Sequence, residues 1–273
     1  MLKKILIGIV IIVAAIVIIG AIILNNDKYN YGVFIGADPS EAEKLGKYKE
    51  VIIDATYFTE EDIDIIHKKG TKVYSYINVG SIEEFRNHYK DFVHLAICDY
   101  ENWENEKWID VSNEQWQTYF VHTIAKDLLD KGIDGLFIDN VDVYSLSHDE
   151  NIYNGLMNIL KDISNKYDKP VIINGGYDFI EKAISQGEDI QSIVAGINLE
   201  EVSTIIEDYD NNIFKKQSEE DKNYVIEYLE KIRDRGMDVY IIEYSKNKLF
   251  DIRLKSEYNS LKFKLFISEK VNL

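Results

Sequence analysis

The 273-residue chain has one cysteine and two prolines. A single cysteine excludes a disulfide scaffold and a thiolate zinc cluster. With so little proline, no Gly- or Ser-rich linker and no internal repeat, nothing divides residues 28–273 into separate units. Positive charge is also scarce: 31 Lys and Arg face 48 Asp and Glu, a formal net charge of −17. Such a chain is a poor general binder of nucleic acid or of an anionic membrane surface. His67, His88, His94, His122 and His148 form no H-x-H or H-E-x-x-H spacing, and the chain has no G-x-S-x-G elbow, P-loop or G-x-G-x-x-G. No cofactor and no histidine-bound metal are expected. Cys98 reads as a small core residue rather than a nucleophile.

Against these absences stands one long apolar run, Ile5 to Leu24, with Lys3 and Lys4 before it. A helix rises about 1.5 Å per residue, so twenty residues cover roughly the hydrocarbon core of a bilayer. The lysine pair predicts a cytoplasmic N-terminus and an exported remainder. The run is longer than a signal-peptide core and does not close on a small-x-small cleavage pattern. Residues 1–27 are therefore read as a single-pass membrane anchor and 28–273 as one extracellular domain, with secretion after cleavage as the alternative. Removing residues 1–27 takes away Lys3, Lys4 and Asp27, which leaves the domain at −18.

The domain repeats one local grammar. Thr59 to Lys69, Ser112 to Lys131 and Asp221 to Arg235 read as helices. Each ends in a basic residue and a glycine (Gly70, Gly132, Gly236), then an apolar strand follows. Ser112 with Gln115 predicts a capping box. Further strands are expected at Val33–Ile35, Val51–Ile53, His94–Ile97, Val171–Ile173 and Val194–Ile197, with helices over Ser40–Leu45, Asn151–Tyr167 and Phe179–Ser185. Alternation of this kind predicts a parallel sheet, and the length suits a (β/α)8 barrel. An open sheet stays open as an alternative. Counting gives eight strands through Ile242, but Phe263–Ile267 would be a ninth, and Trp108–Val111 competes with His94–Ile97 as the fourth.

In parallel α/β folds, function collects at the carboxyl ends of strands. The polar residues predicted there are Asp54, Asn78, Asp139, Asn140, Asp142, Asn174, Asn198, Glu200, Glu243 and Tyr244, with no lysine or arginine among them. An acidic mouth of this kind suits glycoside cleavage by a carboxyl pair, or an oxygen-ligand metal held by Asp54, Asp139, Asp142 and Glu243. The loop Asp99 to Trp108 mixes carboxylates, amides and tryptophans, which suits sugars with apolar ring faces and hydroxyl rims. Trp116, on the following helix, reads as core.

The ordered series Ile53-Asp54, Tyr76-Ile77-Asn78-Val79-Gly80-Ser81, Trp108-Ile109-Asp110-Val111, Gly132-Ile133-Asp134-Gly135-Leu136-Phe137-Ile138-Asp139-Asn140-Val141-Asp142, Gly196-Ile197-Asn198-Leu199-Glu200 and Ile242-Glu243-Tyr244 resembles glycoside hydrolase family 114, in particular its bacterial subgroup. These are (β/α)8 endo-α-1,4-polygalactosaminidases and their relatives. The resemblance implies a polysaccharide substrate, cationic where its amino sugars are deacetylated, and places the catalytic pair on Asp139 and Glu200, although Glu201 competes for the second place. It puts Tyr76, Asn78, Trp108, Asp142 and Glu243 around the pocket. A non-catalytic glycan-binding module on the same barrel is the rival reading. Oligomeric state is not legible.

Overall fold

The computed structural model describes residues 28–101 and 103–273. The proposed anchor, residues 5–24, lies outside them. Among the described residues, no helix is long and apolar enough to cross a membrane.

Eight parallel strands follow one another in chain order around a nearly closed barrel. They are β1 (Tyr29–Phe34), β2 (Tyr48–Ile53), β3 (Lys72–Asn78), β4 (Gly135–Asp139), β5 (Val171–Asn174), β6 (Gly196–Glu200), β7 (Asp238–Tyr244) and β8 (Lys264–Ser268). No ladder joins β1 to β8. The seam is instead bridged by edge-to-face packing of Phe34 on Phe266, centroids 5.3 Å apart, and by Gly36 N donating to Leu273 O at 2.6 Å. The principal helices are α1 (Glu60–His67), α2 (Glu114–Tyr119, continuing through a π turn at Phe120–Ala125 to Leu129), α3 (Glu150–Tyr167), α4 (Tyr177–Ser185), α5 (Glu219–Asp234) and α6 (Lys248–Ser260).

Two expectations about strand identity are corrected. The fourth barrel strand is Gly135–Asp139, and Lys264–Ser268 completes the eight. Ala96–Asp99 and Glu106–Ile109 instead join Ser81–Glu83 in a small antiparallel sheet inserted after β3. Antiparallel pairing needs only short turns, so three strands fit into a loop where a parallel strand would need a crossover helix. Cys98 lies on an edge strand of this sheet and is exposed, not core. The helix stops follow the sequence: Gly70, Gly132 and Gly236 take φ of 72°, 88° and 91°. The cap of α2 differs. Asn113, not Ser112, accepts from Gln115 N and Trp116 N, because the Ser112 hydroxyl is drawn to Asp110.

Alternation along the strands sorts the core into two layers. Val51, Ile53, Val73, Ile77, Leu136, Ile138, Val171, Ile173, Ile197, Val239 and Ile241 pack outward under the helices, where Trp116 is fully buried. Tyr31, Val33, Ile52, Tyr74, Tyr76, Phe137, Ile172, Tyr240, Ile242 and Tyr244 fill the barrel. The same parity aims the last inward residue of each strand at the mouth.

Candidate active site

Parity decides what the mouth contains. Asp139 follows inward Phe137 on β4, Asn174 follows inward Ile172 on β5, and Glu200 follows inward Asn198 on β6. Asn174 stands between the two acids, and its Nδ2 donates to Asp139 Oδ1 and to Glu200 Oε1, each at 2.9 Å. The two oxygens are thus no more than twice that distance apart. Asp139 also accepts from Asn140 N at 2.8 Å. Glu200 Oε2 takes a short hydrogen bond from the Tyr244 hydroxyl. Burial first, then the Glu200 charge, pushes the Asp139 carboxyl up to about 7. The same two causes, in the same order, raise the Tyr244 hydroxyl well above its ordinary value. The sequence reading needed the raised carboxyl on Glu200; the structure raises Asp139. Asp139 has a single side-chain donor, Asn174, against two for Glu200, Asn174 and Tyr244.

Glu201, the competing acid, turns away. It sits past the strand end at φ 59°, and its carboxyl is engaged by Ile206 N. Glu243 is also corrected. It shares the outward face of β7 with Val239 and Ile241, is 0% exposed, and accepts from Ser203 N (2.6 Å), Thr204 Oγ1 and Tyr258 OH (2.6 Å). It anchors the chain after Glu200 to α6 and does not line the pocket. Asp54 points inward but is 2% exposed, caps Thr56 N, and pairs with Arg86 at 2.7 Å. Arg86 also pairs with Glu83. The mouth therefore holds a basic side chain that the strand ends did not predict, contributed by the insert and already neutralised. With Asp54 paired and Glu243 facing the helices, the four-acid metal set is broken up.

The remaining expected residues form the β3–β4 side. Asn140 adopts φ 60°, which turns its amide back over the mouth. Its Nδ2 donates to Glu106 Oε1 at 3.0 Å, and its Oδ1 accepts from Tyr100 OH at 3.0 Å. Asn78 Nδ2 donates to the same Glu106 oxygen at 2.8 Å, and Ser81 adds a third donor. Tyr76 lies inside the barrel below Asn78, its hydroxyl 3.4 Å from Glu83. Trp108 is not a strand end at the mouth. It is buried in the inserted sheet and stacks under Tyr100 at 4.5 Å. Asp142 accepts from Gly176 N at 2.9 Å, and burial raises its carboxyl. Glu106, Tyr100 and Arg86 were not singled out individually, although all three lie in the segment after β3. Asn198, expected at a strand end but given no role, lies beneath Asn174 beside Tyr31, which was not singled out.

The profile of glycoside-hydrolase family GH114 matches residues 25–267, nearly the whole chain. The chain belongs to this family. It is a glycoside hydrolase. Among solved structures, the GH114 chain is similar to the glycoside hydrolase domain of PelA from Pseudomonas aeruginosa, with TM-score 0.73, 16% identity, and coverage of 90% of this chain and 95% of that one. It is similar to Ega3 from Aspergillus fumigatus, solved in complex with galactosamine, with TM-score 0.65, 18% identity, and coverage of 90% and 92%. A maltogenic α-amylase, AmyB from Thermotoga neapolitana, follows at TM-score 0.56, 10% identity, and coverage of 91% and 70%. At these identities the likeness is one of fold. No curated protein matches the chain.

Proposed function

We propose that this GH114 member is a retaining endo-glycosidase that cleaves an α-linked amino-sugar polymer bearing free ammonium groups. Asp139 acts as nucleophile and Glu200 as acid/base. The observation that carries the reading is the shared Asn174 nitrogen. Its two equal hydrogen bonds of 2.9 Å bring one oxygen of each carboxyl within twice that distance of the other, which favours the close pair of a retaining enzyme over the roughly 6.5–9.5 Å separation of an inverting one. In the first step Asp139 bonds to the anomeric carbon while Glu200 gives its proton to the departing glycosidic oxygen. In the second, Glu200 takes a proton from water, the water oxygen bonds to the anomeric carbon, and the Asp139 ester opens. Two inversions at one carbon give net retention.

The mechanism needs one proton on two carboxyls. In the free enzyme burial and the neighbouring Glu200 charge let Asp139 hold it up to about pH 7. A substrate ammonium beside Asp139 favours the ionised form that the nucleophile needs. The raised Asp139 also favours a second assignment with the roles exchanged. An aryl glycoside with a good leaving group separates the two, because its first step needs no acid. Glu200→Gln that still releases the aryl group while Asp139→Asn does not supports the assignment given; the opposite pattern supports the exchange.

The preference for a cationic chain rests on charge. Among the described residues, no Lys, Arg or His pairs with Asp139, Asp142, Glu200, Glu201 or Glu106. Display outside the cell rests on the apolar run Ile5–Leu24 behind Lys3 and Lys4. Protease treatment of intact cells tests it, since an external domain would be shaved off and an internal one spared.

A further inference from the structure

Asn174 meets two carboxylates, which when ionised accept hydrogen bonds and donate none. Its NH2 must therefore face Asp139 and Glu200, and its carbonyl oxygen must face the opposite way. That oxygen lies 2.6 Å from Asn198 Nδ2. Asn198 thus presents its own NH2, and its Oδ1 is turned toward β1. There the Tyr31 hydroxyl donates to it at 3.1 Å. Tyr31 is 1% exposed and Asn198 is 0% exposed, so solvent reaches neither group. The Tyr31 ring is fixed edge-to-face on Tyr240, with centroids 4.9 Å apart. Every donor in this chain points its proton toward the carboxyl pair, and aligned donors polarise one another.

We propose that Tyr31 is a positioning residue, the terminal donor of a relay that runs through Asn198 and Asn174 and holds the two carboxyls on one amide. The proposal rests on reading Asp139 and Glu200 as the reacting pair. Without the Tyr31 hydroxyl, Asn198 Oδ1 is a buried acceptor with no donor, and Asn198 turns away to find one. Asn174 then loses its counterpart and donates less well to the carboxyls. Weaker donation to the charged form makes the pair harder to ionise.

The test is a 13C-carboxyl NMR titration of the substrate-free protein beside its Tyr31→Phe variant, with melting temperatures recorded for both. The expected result is a rise of about one unit in the upper transition of the pair. An unmoved transition in a folded variant overturns the relay, since a merely structural tyrosine would shift the melting temperature and not the titration. Asn198→Leu carries the same test independently of how Tyr31→Phe folds. It must raise the transition by itself, and Tyr31→Phe must add nothing further; additive shifts also overturn the relay. The titration needs no substrate. A shifted titration in a protein that cleaves nothing would fault the catalytic reading and not the relay; active enzyme with an unmoved titration would do the reverse.

Discussion

The Asp139 carboxyl, pushed up to about 7 by burial and by Glu200, ties activity to stability at a single residue. Its unfolded value is near 4, so the folded state binds this proton more tightly. The group's contribution to stability is complete below about pH 4 and is lost as pH rises through about 7. Asp139→Asn removes that loss. Its melting temperature should exceed the parent's by more at pH 8 than at pH 5, while cleavage falls to background. An equal gap at both pH values would show that Asp139 is not perturbed in this way. Arg86 makes a purely structural prediction. Arg86→Met leaves Asp54 and Glu83 buried without a cation and should cost about 3–5 kcal/mol in urea unfolding. Adding Asp54→Asn and Glu83→Gln should recover most of that loss.

At the scale of elements, the turn after β5 is tightly packed against the site. Gly175 has φ 71°, and a Cβ there would fall 1.8 Å from Asp142 Oδ2. Gly175→Ala should therefore displace Asp142 and strain the turn. Lower activity together with a lower melting temperature is expected; activity at the parent's level would show that Asp142 is not held by this turn. The barrel strands were legible because buried parallel strands are short, β-branched apolar runs. The inserted sheet was not, since Ala96–Asp99 and Glu106–Ile109 have strand-like sequences and nothing local marks their antiparallel pairing. Inward and outward faces were legible where polarity alternates. The Glu200-Glu201 doublet was not, and only the left-handed turn at Glu201 and its bond from Ile206 N separate the two. On β7 both faces are apolar until Glu243, so its outward direction could not be read, and its partners Ser203, Thr204 and Tyr258 reveal it.

For the whole molecule, a net charge of −17 converges in part on a mouth where, among the described residues, Asp139, Asp142, Glu200 and Glu106 have no cationic partner. Binding of a cationic polymer should weaken as ionic strength rises, with KM increasing and kcat nearly constant, because salt screens attraction more than bond-making at an enclosed centre. Glu106→Gln should raise KM for a deacetylated chain and leave an N-acetylated one unaffected. An identical effect on both chains would remove Glu106 from charge recognition. Retention is the central claim, and the most direct measurement is the configuration of the first product. Purified enzyme is mixed with an α-1,4-linked galactosamine polymer, and the new reducing end is followed by proton NMR before mutarotation. The α-anomer should appear first, and no product should form with Asp139→Asn. Initial release of the β-anomer, or undiminished cleavage by that variant, would contradict the account.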